Sequence, residues 1–150
     1  MCLPVEPFKI ERQWEHAGLT CAVVLACEAG HRCGYVRVPP GHPAFGKEYD
    51  AIDVEVHGGL TFAELEPCKN HPEGQGYWLG FDTAHCGDAY HDPAASPDDL
   101  SLSEETRRTL AVYREIKKKY PTRGRADHYW TQSETERETE KLAEQLAASA

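Results

Sequence analysis

The stretch TCAVVLACEAGHRCGYVRVP, residues 20–39, decides the fold. Its first part, TCAVVLAC (20–27), is a continuous apolar run rich in β-branched residues. EAGH (28–31) supplies turn chemistry, and RCGYVRVP (32–39) resumes an extended pattern, so the stretch reads as a β-hairpin. Downstream, PPGHPAFGKEYD (39–50) carries three prolines and two glycines and reads as an irregular loop. In IDVEVH (52–57), Ile52, Val54 and Val56 alternate with Asp53, Glu55 and His57, the period of a half-buried strand. Gly58 and Gly59 end it, and LTFAEL (60–65) reads as a further short strand. A second loop, PCKNHPEGQG (67–76), leads to the aromatic strand YWLGFD (77–82), and a long connection follows.

Two helices close the chain, near 102–119 and 133–148. Ser101 with Glu104, and Ser133 with Glu136, fit capping boxes. Lys117, Lys118 and Lys119 fall in a last turn where the helix dipole favours cations, and Pro121 stops that helix. Strands first and helices last predict an α+β single domain over residues 1–150, a curved, mostly antiparallel sheet packed by two C-terminal helices.

A chain of 150 residues is long enough to bury a core without a metal or disulfides as props. The net charge of −9 disfavours duplex nucleic acid and anionic membranes, whose surfaces are also negative. It leaves open a small anionic ligand, held at short range by a few local donors. No stretch approaches the ~20 apolar residues of a membrane span. The opening MCLPVEPFKIERQWEH has no basic start followed by a long apolar block, so no cleaved signal peptide is expected and the cytoplasm is the expected compartment. Thiols stay reduced there, and none of the six cysteines forms a C-x-x-C pair, so free, mostly buried thiols are expected. A homo-oligomer is compatible with the sequence.

Chemistry concentrates in two segments. In His57-Gly58-Gly59-Leu60-Thr61, an imidazole is followed by two amides unshielded by side chains and by a hydroxyl, the parts of a phosphate site. The plainer reading is a Gly-Gly turn beside a surface histidine. In Asp82-Thr83-Ala84-His85-Cys86-Gly87-Asp88, carboxylates flank an imidazole just past a strand, where a carboxylate can orient a histidine acting as acid or base. Its plainer reading is a pair of turn-capping aspartates. The same atoms could hold a divalent ion with His57 as a further ligand, although the sequence alone assigns no metal ligands. Tyr77, Trp78 and Trp130 are candidates to stack on a base, with core packing as the default for a strand aromatic. His31, His42, His71 and His91 sit in turns or proline-rich loops and read as solvated. The basic run REIKKKYPTRGR (114–125) could steer an anion or simply cover a helix end. P-loop, H-E-x-x-H and G-x-S-x-G signatures are absent from the sequence.

GYVRVPPGHPAFGKEYD, VHGGLTF, YWLGFDTAHCGD and a C-terminal helix ending EKLAEQL together resemble a family of small proteins encoded by bacteriophages and prophages. The resemblance runs from about residue 33 to the end, with a variable middle. It implies a biological setting, a phage protein at work in a bacterial host cell, rather than a mechanism. In the family's pattern a cysteine frequently follows GFD, whereas here Thr83 does, which weakens any mechanism using a thiol nucleophile at that position.

Together these features predict a phage protein handling a phosphate-containing small molecule. The leading expectation is a phosphodiester hydrolase acting on a nucleotide or a cyclic-nucleotide immune signal. His57 and His85 would be its acid/base pair, Asp82 and Asp88 would orient them, and Gly58, Gly59 and Thr61 would hold the phosphate. The alternatives are a non-catalytic nucleotide sponge, with Tyr77, Trp78 and Trp130 stacking the base, and a surface inhibitor of a host protein.

Overall fold

The computed structural model describes residues 2–4, 9–26, 30–85, 87–89, 95–120 and 128–150. Strands β1 (Lys9–His16), β2 (Leu19–Leu25), β3 (Arg32–Val38), β4 (Phe62–Leu65) and β5 (Tyr77–Asp82) precede helices α1 (Glu104–Lys119) and α2 (Gln132–Ala148). The strands form one open five-stranded sheet in the order β1-β2-β3-β5-β4, every neighbouring pair antiparallel. The expected α+β architecture, sheet first and two helices last, is the architecture found.

Both faces of the sheet are apolar. On one, Leu19, Cys21, Val36, Val38, Leu79 and Phe81 pack with Leu142, Ala143 and Leu146 of α2. On the other, Ala22, Val24, Tyr35 and Trp78 pack with Leu3, Cys33 and Phe62. Such two-sided burial explains why β2 is a continuous apolar run rather than an alternating one. Gly34 sets the helix distance, because a Cβ there would collide with Thr139 of α2 and with Phe81.

Strand β1 has no apolar alternation to announce it. Its residues facing α2 are Arg12, Trp14 and His16, which bond Glu136 (3.1 Å), Glu140 (3.1 Å) and Glu144 (2.8 Å). Two strand residues advance ~6.6 Å and four helical residues ~6.0 Å, so period two on the strand meets period four on the helix.

The segment 52–57 is a correction: it lies outside the sheet. Its burial alternates as expected, with Ile52, Val54 and Val56 turned to the core. Its backbone, however, is met by side chains of α2. The Gln145 amide accepts from the Glu55 N–H (2.7 Å) and donates to the Glu55 carbonyl (2.8 Å), and Glu138 accepts from the His57 N–H (2.9 Å). Periodicity reported the burial; it could not report what satisfies the backbone.

Both helix caps lie two residues from expectation. Ser103 caps α1 through the Thr106 N–H, while Ser101 bonds Asp99. Thr131 with Glu134 forms the capping box of α2, which frees Glu136 for Arg12. Pro121 lies outside the described residues. His42, expected in solvent, is buried: its Nδ1 accepts from the Ala44 N–H (3.0 Å) and its Nε2 donates to the Leu146 carbonyl (2.8 Å).

The thiol expectation is overturned for one pair. Cys2 and Cys68 form a disulfide, their Cα atoms 5.7 Å apart. Cys21 and Cys33 are free, and burial pushes their thiols up to about 12 and about 11. Cys27 and Cys86 lie outside the described residues.

The second face also carries a buried ion pair. Glu66 accepts from Arg37 at 2.9 and 3.0 Å, from the Gly76 N–H at 2.7 Å and from the Trp78 indole at 3.2 Å. Burial alone would raise the Glu66 carboxyl, but the bonds from Arg37, Gly76 and Trp78 hold it at about 2 rather than 4.5. The folded value lies below the unfolded one, so this group's stabilisation is complete above pH 4.5 and fades as pH falls towards about 2. Glu66→Gln is expected to cost about 3–5 kcal/mol at pH 7, since it strands a buried guanidinium. Urea titrations should also show the wild-type advantage over Glu66→Gln shrinking below pH 4.5; an advantage independent of pH would contradict the pairing.

Candidate functional site

Strands β4 and β5 bring the two chemistry-bearing segments together. The Thr61 N–H donates to the Gly80 carbonyl (2.9 Å), extending the ladder back towards His57. Asp82 ends β5, and its Oδ1 accepts from the Ala84 N–H (3.0 Å), turning the chain off the sheet. Thr83 is buried, and its hydroxyl donates to the Arg32 carbonyl (3.1 Å) and accepts from the Arg32 N–H (3.2 Å). That position closes the end of the sheet and offers no nucleophile. Beyond it, the Asp88 N–H donates to the His85 carbonyl (2.9 Å). The chain leading into α2 then straps this loop, through His128 N–H to Gly87 (2.8 Å) and Ala89 N–H to the His128 carbonyl (2.9 Å).

The result is one cluster. His57 Nε2 lies 2.7 and 2.9 Å from the two oxygens of Asp88, and His85 Nδ1 lies 3.2 Å from Asp88 Oδ2. The Asp88 Oδ2 also accepts from the His85 N–H (3.0 Å). On its other side His85 Nε2 lies 3.5 Å from Asp82 Oδ1, and Asp82 Oδ2 accepts from the Thr61 hydroxyl (3.0 Å). The imidazole centroids are 5.2 Å apart and their planes cross at 82°. Trp130 lies against His57 at 4.4 Å between centroids.

Exposure divides the roles. The Asp88 side chain is 3% exposed and forms the floor, while His57 (26%), His85 (30%) and Asp82 (27%) reach solvent. Burial pushes the Asp88 carboxyl upward, but hydrogen bonds from His57, the His85 N–H and the His85 ring outweigh it and hold it below the ordinary aspartate value. An ionised carboxylate only accepts, so His57 carries a proton on Nε2 and His85 on Nδ1. Nearby, burial lowers His31 and the charge of Asp82 acts the other way. Two imidazoles on one carboxylate can move a proton to and from a water or a leaving group. The same atoms form a His₂Asp ligand set.

All four expected catalytic residues, His57, His85, Asp82 and Asp88, therefore converge, with Gly58, Gly59, Thr61 and Trp130 beside them. The expected phosphate cradle is mostly committed elsewhere. The Gly59 N–H donates to the Val56 carbonyl (2.9 Å) and the Thr61 hydroxyl to Asp82. Two expected base platforms are corrected outright. Trp78 is fully buried with its indole on Glu66, and Tyr77 is buried with its hydroxyl on the Lys47 carbonyl (2.6 Å). Trp78 also lies four residues along β5 from Asp82, ~13 Å away. Within the basic run, Arg114 pairs with Asp98 (3.5 Å) and Lys118 with Glu115 (3.3 Å), so those charges are answered locally. Residues 121–125 of that run, and Cys86 and His91, lie outside the described residues.

Sequence reasoning missed Glu138, which fixes the His57 backbone from 81 residues away and has no local signal. It also missed His128, whose backbone straps the Asp88 loop.

Gly58 and Gly59 give a matched test. Both have left-handed backbone, φ +69° and +79°, but a Cβ on Gly58 would enter the His85 ring whereas Gly59 has nothing within 4 Å. Each alanine substitution costs about 1–2 kcal/mol for the backbone alone. Gly58→Ala is expected to cost clearly more and to shift the His85 ring resonances, while Gly59→Ala leaves them in place. Equal destabilisation and unmoved His85 resonances in both variants would place His85 elsewhere.

Comparison with protein-family models, with curated proteins and with solved structures yields no match in any of the three.

Proposed function

We propose that the protein hydrolyses a phosphodiester bond in a small anionic molecule, a nucleotide or a cyclic-nucleotide signal. The observation that carries this reading is the Asp88 carboxylate shared between His57 and His85. One imidazole, oriented by Asp88, takes a proton from a water whose oxygen attacks phosphorus. The other gives its proton to the leaving oxygen as the P–O bond breaks, and the product phosphate monoester forms.

His42 shows what a structural histidine looks like in this fold: it is buried, with both ring nitrogens on backbone groups. His57 and His85 instead share a carboxylate and keep about a quarter or more of their side chains in solvent. That contrast favours chemistry over a purely structural pair, and so over a surface inhibitor. Sequestration without cleavage loses support because Tyr77 and Trp78 belong to the core.

The resemblance to phage-encoded proteins supports placing the activity in the bacterial cytoplasm. Among the described residues no helix is long and apolar enough to cross a membrane. Cytoplasmic thiols stay reduced, so the Cys2–Cys68 link, which joins the N-terminal segment to the loop after β4, weighs against that placement, and the proposed chemistry does not use it.

Incubation with a panel of linear and cyclic nucleotides, with and without added divalent ions, should release a phosphate monoester detectable by chromatography. His57→Ala and His85→Ala are expected to lower turnover by about 10²–10⁴ while circular dichroism stays native. An absence of cleavage across the panel under both conditions would end this reading.

A further inference from the structure

We infer that His57, His85 and Asp88 form a binding site for one divalent first-row metal ion of the zinc type. The inference rests on the same cluster as the hydrolase reading and deepens it by naming the site's cofactor.

The first argument is geometric. One donor atom from each of the three side chains falls within 4.8 Å of the other two. The His57 Nε2–Asp88 and His85 Nδ1–Asp88 separations are 2.7 and 3.2 Å. Donors on a tetrahedral ion with bonds of about 2.0–2.1 Å lie ~3.4 Å apart. Exchanging the hydrogen bonds for an ion therefore opens the His57–Asp88 separation by ~0.7 Å and the His85–Asp88 separation by ~0.2 Å. Three protein ligands leave a fourth position for water.

The second argument is the outer layer around those donors. If His85 binds through Nδ1, its Nε2 lies 3.5 Å from Asp82 Oδ1, an ion-pair distance from which a modest ring shift would complete a carboxylate–histidine–metal arrangement. Asp82 is itself fixed by the Thr61 hydroxyl and the Ala84 N–H, both at 3.0 Å. On the other ligand, Glu138 holds the His57 backbone and Trp130 covers the ring.

The third argument is charge. Two carboxylates line a site in a protein of net charge −9. Among the described residues the hydrogen bonds of His57, His85, Asp82 and Asp88 involve histidine, threonine, backbone groups and the Glu138 carboxylate, with no lysine or arginine. The Gly59 and Thr61 donors are already engaged. A phosphate approaching this surface meets repulsion that a divalent ion reverses. With an ion bound, His57 and His85 would serve as ligands instead of as the acid and base of the metal-free reading, and the ion would lower the pKa of a water held in the fourth position.

The test uses the full chain, stripped of metal with a chelator and titrated with Co²⁺ and Zn²⁺ by calorimetry and by the visible absorption of Co²⁺. One ion per chain is expected, lost in His57→Gln and in His85→Gln and weakened about 10- to 100-fold in Asp82→Asn. Folding of each variant is checked by circular dichroism. Should a histidine variant unfold, Asp82→Asn decides alone: weakened binding supports the site and unchanged binding overturns it. Absence of saturable binding, or binding unaffected by both histidine substitutions, overturns it as well. Stoichiometric binding at these residues without phosphodiester cleavage upholds the metal site and removes the hydrolase. Cleavage by protein that binds no ion does the reverse.

Discussion

Helix α2 is the constraint on which the rest of the structure depends. Its apolar stripe, Leu142, Ala143 and Leu146, closes the core over the sheet. On one flank Glu136, Glu140 and Glu144 engage Arg12, Trp14 and His16 and hold β1 in place. On another, Glu138 and Gln145 take up the backbone of 55–57, which no strand accompanies. The approach to α2 straps the loop that carries Asp88, and Trp130 at its start presses on His57. Both halves of the site are thus referred to one helix, although they lie far from it in sequence.

That arrangement explains why the site can be both polar and ordered. An aspartate that is 3% exposed is costly unless its lone pairs are answered, and here two imidazoles and a backbone N–H answer them. The sheet's opposite face solves a similar problem with Arg37 and Glu66. There the guanidinium and carboxylate meet each other in bidentate fashion and are closed to solvent. At His57, His85 and Asp88 the paired groups remain open on one side, and that opening separates a site from a structural network.

Much of the fold was legible because it was written in local patterns. The hairpin of β2 and β3, the aromatic strand β5 and both helices follow from apolar runs, turn residues and caps. What escaped was written across long separations. Strand β1 turns Arg12, Trp14 and His16 towards the glutamates of α2, so no hydrophobic period marks it. The alternation of Ile52, Val54 and Val56 was read correctly as burial and wrongly as sheet pairing, since helix side chains can also satisfy an extended backbone. The α2 cap slipped because Thr131-x-x-Glu134 and Ser133-x-x-Glu136 overlap, and only the tertiary partner Arg12 shows that Glu136 is turned to β1. For the site, His57, His85, Asp82 and Asp88 could be named from residue types beside turns. Trp78 and Tyr77 could not be told from core aromatics, and Glu138 could not be seen at all.

The central claim is that one ionised carboxylate, Asp88, accepts hydrogen bonds from both imidazoles in the metal-free protein. Long-range ¹H–¹⁵N correlation of the histidine side chains reads directly which ring nitrogens carry protons. The account predicts a proton on Nε2 of His57 and on Nδ1 of His85, with both resonances displaced together by Asp88→Asn. A bare Nε2 on His57 or a bare Nδ1 on His85, or signals that ignore Asp88→Asn, would contradict it.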